Sequence, residues 1–176
     1  MADEARPTFT ELGVAAEIVD ALADKGIDRT FAIQERTLPL ALTGKDLIGQ
    51  ARTGMGKTLG FGIPLLDRIF DDADVTAPDG TVRALVVVPT RELCIQVAED
   101  LSDAATNLPL TVTTIYGGVP FDRQTEALSR GTDVVVGTPG RLLDLSRQHL
   151  LDLSHVEILV LDEADEMLDQ GFLDDV

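Results

Sequence analysis

Two short segments of the sequence carry residue types, at suitable spacing, that can bind phosphate groups and a divalent cation. The first is Ala51-Arg52-Thr53-Gly54-Met55-Gly56-Lys57-Thr58, which follows an apolar stretch and opens a helical pattern. Glycines allow backbone N–H groups to turn toward phosphate oxygens, and a helix N-terminus adds positive potential. In such a loop Lys57 reaches the β- and γ-phosphates and the Thr58 hydroxyl ligates Mg²⁺. We therefore predict a phosphate-binding loop, although Ala51 stands where the general pattern has glycine and a simple glycine-rich turn is the alternative.

The second segment is Asp162-Glu163-Ala164-Asp165, which follows an apolar run at 158–161. Ligands of α/β proteins bind at the carboxyl ends of strands, where these carboxylates stand. Asp162 can hold Mg²⁺ through a water molecule, and Glu163 can orient and deprotonate a water that attacks a phosphoryl group. An acidic turn after a strand is common by itself, so this prediction depends on the phosphate loop upstream.

The rest of the sequence predicts an α/β scaffold for these two segments. From Asp46 onward, short Val/Ile/Leu runs alternate with amphipathic segments, which is typical of βαβ units around a parallel sheet. Each run is continuously apolar, as expected for strands covered by helices on both faces. The predicted strands are Asp46–Gln50, Ala84–Val88, Thr111–Tyr116, Asp133–Gly137 and Glu157–Leu161.

Helical patterns precede the predicted sheet and connect its strands. Two of them, Thr10–Lys25 and Phe31–Leu42, come before the sheet. The connecting helices begin near Gly56, Thr90, Pro120 and Pro139, and all but the first start at a residue type favoured at helix N-termini. The aspartate-rich segment Asp71–Thr81 has no periodicity and contains Pro and Gly, so we predict a surface loop there.

Length and composition favour a single globular domain. A chain of 176 residues can bury a core without disulfides or a structural metal. The only cysteine, Cys94, lies in a helical pattern with Leu93 and Val97, so we predict a buried structural thiol. No run of about eighteen apolar residues occurs. The N-terminus, Met1-Ala2-Asp3-Glu4, lacks the basic and apolar regions of a signal peptide, and we expect a cytoplasmic protein.

The charge of the chain is strongly negative. The formal charge of −17 comes from 31 acidic and 14 basic residues, and only three of the basic residues are lysines. This is the wrong sign for a nucleic-acid partner, because such affinity usually comes from cations that displace counterions at phosphates. An acidic, lysine-poor surface also suits a high-salt cytosol, where self-repulsion is screened. We therefore expect a halophilic source organism.

Four short motifs occur in a characteristic order along the chain. They are Pro89-Thr90-Arg91-Glu92-Leu93, Gly117-Gly118, Thr138-Pro139-Gly140-Arg141-Leu142 and Asp162-Glu163-Ala164-Asp165. In this order and spacing they resemble the DEAD-box ATP-dependent RNA helicases of superfamily 2, over nearly the whole chain. The resemblance implies an ATP- and Mg²⁺-binding RecA-like P-loop domain at 46–176, incomplete at its C-terminus, after two N-terminal helices within 1–45.

The segment Gly26-Ile27-Asp28-Arg29-Thr30-Phe31-Ala32-Ile33-Gln34 resembles the Q motif, with which this family reads adenine, and Phe9 stands at the expected place upstream. The resemblance implies that Gln34 hydrogen-bonds the adenine edge and that Phe9 stacks on the ring. An amide suits this role because it offers a donor and an acceptor together. The chain departs from the family at Ile27, Thr30 and Ala32, which replace an aromatic residue and two prolines. We therefore expect a less rigid loop and weaker base selectivity.

By the same resemblance, the segments that follow the second, third and fourth strands form an RNA track. They would contact the sugar-phosphate backbone through hydroxyls, backbone N–H groups and two guanidiniums, which read shape rather than sequence. The implied residues are Pro89, Thr90, Arg91, Gly117, Gly118, Thr138, Pro139, Gly140 and Arg141. The alternative for Arg91 and Arg141 is that each pairs with a neighbouring carboxylate.

The resemblance also implies parts of the machinery that lie outside this chain. In the family a second RecA-like domain supplies arginine fingers, and a coupling tripeptide, the expected partner of Asp165, follows the acidic motif. We therefore expect the isolated chain to bind nucleotide weakly, to bind RNA very weakly and not to unwind duplexes. One alternative is a DNA translocase, which does not explain Gln34 with Phe9. The other is a non-enzymatic nucleotide- or RNA-binding module, which the intact Lys57 and Glu163 oppose.

Overall fold

The computed structural model describes residues 6–51, 56–71 and 79–176. It contains two compact units, which are described separately below. The first comprises Met1–Ala77 with Asp100–Pro109, and the second comprises Pro78–Glu99 with Leu110–Val176. The predicted division into N-terminal helices at 1–45 and a RecA-like domain at 46–176 stays a prediction.

The first unit is helical. Its elements are α1 (Ala16–Ala23), α2 (Ala32–Ala41) and α3 (Lys57–Asp71). The last turn of α4 (Arg91–Ala104) also belongs to this unit. The predicted helix at Thr10–Lys25 is shorter than expected because its first residues form turns, in which Gly13 has a φ of +84°. The unit buries apolar side chains from each of these helices, among them Ile18, Leu38, Ile63 and Leu101.

The predicted strand Asp46–Gln50 is wrong. The structure gives this segment no regular secondary structure, and all five of its residues are exposed. Ile48 is 101% exposed and Leu47 is 40% exposed. A strand is stable only when neighbouring strands satisfy its backbone groups, and no described strand pairs with this segment. An apolar run in the sequence shows only which residue types are present, and it cannot show whether a neighbouring strand pairs with them.

The second unit is built on a four-stranded parallel sheet, which contains the other four predicted strands. Its strands are β1 (Ala84–Val87), β2 (Val112–Ile115), β3 (Val134–Gly137) and β4 (Ile158–Leu161), in the order β2-β3-β1-β4. Each parallel connection runs through a helix, as expected for βαβ units. The helices that follow the strands are α4, α5 (Phe121–Ser129), α6 (Pro139–Arg147) and α7 (Ala164–Asp169).

The register of the sheet brings the carboxyl ends of its strands together. Val87 pairs with Gly137 and with Leu161, and Ile115 pairs with Gly137. The ladder continues one residue further, since Val88 N donates to Gly137 O and Asp162 N donates to Val87 O, at 2.9 and 3.0 Å. The segments that follow all four strands therefore start at the same edge.

The prediction that the strands are covered on both faces is confirmed for β1 and β3 and is wrong for β4. All residues of β1 and β3 are buried. In β4, by contrast, Leu159 and Leu161 are 58% and 41% exposed, and burial alternates along the strand. The reason is position, because β4 is an edge strand of the described sheet and β1 is its only described partner.

Two clusters of contacts attach helices to this sheet. Side chains of α6 and α7, including Leu142, Leu145 and Met167, pack with Leu85 and Val135 of the sheet. The α4 helix contacts β3 through Cys94, whose Sγ lies 3.2 Å from the carbonyl oxygen of Val136. Cys94 is fully buried, and burial raises the pKa of its thiol to about 12. The prediction of a buried structural thiol is confirmed.

Gly137, at the carboxyl end of β3, has no room for a side chain. An added Cβ would lie 2.6 Å from Leu142 side-chain atoms and 2.9 Å from the carbonyl oxygen of Ile115. We predict that Gly137→Ala lowers the free energy of unfolding by about 1–3 kcal/mol through overpacking. The matched control is Gly140→Ala, because nothing lies within 4 Å of an added Cβ there. Denaturant unfolding measures both, and equal stability of the two variants would contradict the packing seen around Gly137.

Candidate functional site

The phosphate loop is described at its two ends. Arg52, Thr53, Gly54 and Met55 lie outside the described residues, whereas Ala51 and the exit of the loop into α3 are described. Gly56 has a φ of +102°, a conformation that favours glycine, and its carbonyl accepts the N–H of Gly60 at 2.9 Å in the first turn of α3. Lys57 and Thr58 are then the first two residues of a 15-residue helix, the position from which a lysine and a hydroxyl can meet a phosphate.

Gln34 connects α2 to the exit of this loop. Its side chain is fully buried. Its Oε1 accepts the Phe31 backbone N–H at 2.9 Å, and its Nε2 donates to the Gly56 carbonyl at 3.0 Å. Phe31 also presses on the loop directly, since a Cβ added to Gly56 would lie 2.9 Å from the Phe31 side chain. Each end of the Gln34 amide thus makes one bond to protein and keeps one further donor or acceptor position, so the predicted adenine contact requires only that the buried side chain become accessible.

Phe9, the other residue predicted to bind adenine, is 1% exposed. Its carbonyl accepts the N–H groups of Leu12 and Val14, both at 3.2 Å, in the turn before α1. Stacking on a base therefore requires the ring to move or the base to replace one of its present neighbours. The adenine roles of Gln34 and Phe9 stay predictions.

We predict that Gln34→Leu destabilises the chain by about 1–3 kcal/mol. The substitution leaves the Phe31 N–H without a partner, whereas the Gly56 carbonyl loses one of two bonds and keeps the Gly60 N–H. The control is Gln148→Leu, because Gln148 is exposed after α6 and its change should stay within about 0.5 kcal/mol. Denaturant unfolding compares them. If Gln34→Leu were as stable as the control, the two hydrogen bonds would not hold the loop.

The acidic motif starts where β4 ends. Asp162 is 4% exposed, and Glu163 follows with φ 52° and ψ 50°, in the left-handed region that non-glycine residues seldom adopt. Such strain is concentrated at functional sites, where it fixes the direction of a side chain. Glu163 precedes α7, and Asp165 lies exposed in the first turn of that helix.

The carboxylates of this motif influence each other. The hydrogen bond between the side chains of Glu163 and Glu166 is the main cause that raises the pKa of Glu166, with the negative charges of Glu163 and Asp165 adding to it. The described residues nevertheless contain no group of three or more His, Cys, Asp or Glu side chains placed to hold a metal ion. The predicted Mg²⁺ ligands belong to different units, Thr58 to the first and Asp162 to the second. Their joint role in binding Mg²⁺ stays a prediction.

The residues predicted to bind RNA lie in three segments at the carboxyl edge of the sheet. Pro89 is buried, and the Thr90 hydroxyl accepts the Leu93 N–H at 3.2 Å, which caps α4. Arg91 is exposed, with its guanidinium 5.0 Å from the centre of the Tyr116 ring. The remaining predicted residues are Gly117, Gly118 and Gly140, which are exposed, Thr138 and Arg141, which are half-buried, and Pro139, which is buried.

Arg141 is held by the segment after β2. Its Nη1 and Nη2 both donate to the Val119 carbonyl at 3.1 Å, and Nη1 also donates to Gln124 Oε1 at 3.1 Å. Its guanidinium lies over the Phe121 ring, 4.3 Å from the ring centre. In the described part of the chain, neither Arg91 nor Arg141 forms an ion pair with a carboxylate.

Gln124, Tyr116 and Phe121 belong to none of the motifs recognised in the sequence. These residues contact the two predicted RNA-binding arginines, and Gln124 is 5% exposed although it lies on a polar helix. Glutamine in an amphipathic helix is normally a surface residue. A buried amide of this kind becomes visible only when the helix is placed beside its partners.

Comparison with known proteins gives the family. Residues 31–176 match the family model of the DEAD/DEAH box helicases. The chain belongs to that family. No described helix of this DEAD/DEAH box chain is both long and apolar enough to cross a membrane.

Relatives with this DEAD-box sequence are longer proteins. The chain is 49% identical over 165 residues to DEAD-box ATP-dependent RNA helicase 53 of Oryza sativa subsp. japonica, covering 94% of this chain and 27% of that protein. It is 47% identical over 169 residues to DEAD-box ATP-dependent RNA helicase CshA of Geobacillus kaustophilus, covering 96% and 35% respectively. The chain thus spans about a third or less of the curated relatives it matches.

Solved structures confirm the α/β, RecA-like fold. A hypothetical ATP-dependent RNA helicase from Sulfolobus tokodaii matches with a TM-score of 0.80 and 40% identity, over 90% of this chain and 44% of that one. A DEAD box protein from the hyperthermophile Methanococcus jannaschii matches with a TM-score of 0.85 and 38% identity, over 96% and 44%.

Proposed function

We propose that this chain is the ATP-binding part of a DEAD-box RNA helicase. Joined to a second RecA-like domain, it would couple the binding and hydrolysis of ATP to local unwinding of RNA duplexes. The observation that carries the proposal is the common sheet edge. There the parallel register gathers the acidic motif and the three segments with predicted RNA contacts, and coupling requires that chemistry and RNA binding be adjacent.

The phosphates of ATP would bind at the start of α3. Lys57 supplies a point charge, and the helix N-terminus supplies N–H donors and positive potential. Gln34 supports this assignment, because the hydrogen bond from its amide to the Gly56 carbonyl connects the phosphate loop to any ligand that binds the same amide. Adenine would bind the donor and acceptor positions that remain on the Gln34 amide while the bonds to Phe31 and Gly56 stay in place, so base binding and loop position would be linked.

The residue types of the two motifs suit a magnesium ion. The Thr58 hydroxyl and the Asp162 carboxylate would hold it, and both are hard oxygen donors of the kind Mg²⁺ prefers. When bound, the ion neutralises charge on the β- and γ-phosphates. Glu163 would orient a water molecule for attack and accept its proton, since it directly follows Asp162 at the end of β4 and its left-handed backbone is held in one conformation.

RNA would contact the same edge through its sugar-phosphate backbone. Exposed glycines at Gly117, Gly118 and Gly140 let a strand approach the protein backbone closely, and Arg91 and Arg141 provide positive charge. Such contacts are independent of base sequence. Because both arginines lie over aromatic rings, little side-chain entropy remains to be lost when a phosphate binds.

Hydrolysis would also require groups that a second RecA-like domain brings. An arginine finger is worth 10³–10⁵ in rate in related phosphoryl-transfer sites, to the order of magnitude. The greater length of the curated relatives supports such a domain. Asp165, exposed beside the acidic site, would connect hydrolysis to unwinding through a segment beyond this chain.

We predict RNA-stimulated ATP hydrolysis only in a two-domain version, in which a second RecA-like domain follows Val176. Steady-state ATPase assays with and without single-stranded RNA compare it with the 176-residue chain, which should be slower by about 10³-fold or more because it lacks the arginine finger.

Glu163→Gln in the two-domain version is the control for chemistry. It should remove most turnover and leave ATP affinity within about twofold, since the amide cannot accept a proton. Robust RNA-stimulated turnover by the 176-residue chain would contradict the claim that hydrolysis requires a second RecA-like domain. If nucleotide and RNA bound but neither version hydrolysed ATP, a binding module would be the better description.

We also propose that the protein works in a high-salt cytoplasm, and we predict that it loses structure as KCl falls from molar to roughly 0.1 M. Repulsion within a surface of charge −17 is screened within about 3 Å at 1 M salt but only within about 10 Å at 0.1 M. Circular dichroism across the KCl series measures the loss.

A charge variant provides the control for that experiment. Asp28→Lys, Glu99→Lys and Asp174→Lys together, at exposed positions, remove three negative charges and add three positive ones, which changes the formal charge from −17 to −11. This variant should tolerate lower KCl than the original chain. Full stability of the original chain at 0.1 M salt would count against a halophilic source.

A further inference from the structure

Gln124 joins two segments that the proposed function assigns to RNA. It is 5% exposed in the first turn of α5, and both ends of its amide are bonded. Its Nε2 donates to the Tyr116 carbonyl at 2.8 Å, at the start of the Gly117-Gly118 turn. Its Oε1 accepts Nη1 of Arg141 at 3.1 Å, from the first turn of α6.

The bonds of Arg141 divide its guanidinium into a used side and an available side. A guanidinium has five N–H donors. Nη1 spends both of its donors, one on Val119 O and one on Gln124 Oε1, and Nη2 spends one on Val119 O. Nε–H and the second Nη2–H remain without an acceptor among the described residues, and these two donors form the side-on fork that binds a phosphate with two parallel hydrogen bonds.

Gln124 sets the direction of that fork. Val119 O accepts hydrogen bonds at the end of the guanidinium, and the Phe121 ring covers one of its faces. These two contacts alone would let the guanidinium rotate in its own plane about Val119 O. The bond to Gln124 Oε1 fixes Nη1 and stops this movement. The backbone of the glycine turn is fixed by the same amide, through Tyr116 O.

We propose that Gln124 is a positioning residue for RNA binding, which orients Arg141 toward a phosphate of the bound strand and keeps the glycine turn in register with it. This inference rests on the proposed function, because it concerns the same RNA track. Gln124 itself would not touch RNA.

The test is a salt titration of RNA binding by the two-domain version, with single-stranded oligouridylate of about ten nucleotides as the probe. Gln124→Met fills the same volume without an amide, and we expect it to weaken RNA binding by about tenfold, the effect of one lost phosphate contact. The slope of log affinity against log salt should fall by about 0.7, as for one phosphate on a single strand. ATP affinity should be unchanged. A merely structural role would lower stability without changing the slope.

Two further variants make the result decisive. Gln124→Asn keeps an amide but is one methylene too short to reach both partners, so it should fold if Gln124→Met does not and should show the same loss. The matched control is Gln148→Leu, which changes an exposed glutamine in the same unit and should leave affinity and slope unaltered.

A double substitution separates this inference from the proposed function. In an Arg141→Met background, Gln124→Met should cause no further loss of RNA affinity, because its effect passes through Arg141. An equal further loss, or wild-type affinity and slope in both Gln124 variants, would overturn the positioning role alone. If Arg141→Met itself left RNA affinity unchanged, the assignment of Arg141 to RNA would fail, and the role of Gln124 with it.

Discussion

The parallel register of the sheet is the constraint on which the candidate site of the second unit depends. Hydrogen bonds between β3, β1 and β4 place Gly137, Val87 and Leu161 side by side, and the ladder extends to Val88 and Asp162. Each chemistry-bearing segment begins within a few residues of these ends. Tight packing at Gly137, against Leu142 and Ile115 O, leaves no freedom to shift that edge. The proposed functions of the segments differ, but one backbone geometry gathers them.

Two buried glutamines serve similar purposes in the two units. Gln34 joins the start of α2 to the exit of the phosphate loop, and Gln124 joins the turn after β2 to Arg141. In each case a single amide donates to one segment and accepts from another, so it fixes their separation. Because each amide is buried, losing either of its bonds is costly. Under the proposed function, adenine would bind the donor and acceptor positions that remain on the Gln34 amide.

The sequence predicted the strands of the second unit and the starts of α4, α5 and α6 to within about two residues, because apolar runs and N-terminal residue types are local signals, but it did not predict α7. It failed at Asp46–Gln50 and at the outer face of β4, because strand pairing and edge position are set by distant neighbours. Motif residues such as Lys57 and Asp162 could be named from their types and spacing. Gln124 could not, because its burial and its contact with Arg141 arise only in the folded chain.

Photo-crosslinking tests most directly whether RNA binds along the carboxyl edge of the sheet. The two-domain version would be crosslinked to an oligonucleotide containing 4-thiouridine, in the presence of a non-hydrolysable ATP analogue, and the modified peptides identified by mass spectrometry. We expect crosslinks within 89–91, 116–121 and 138–141. Crosslinks at the opposite end of the strands, near Val82, Asp133 and Glu157, would contradict it.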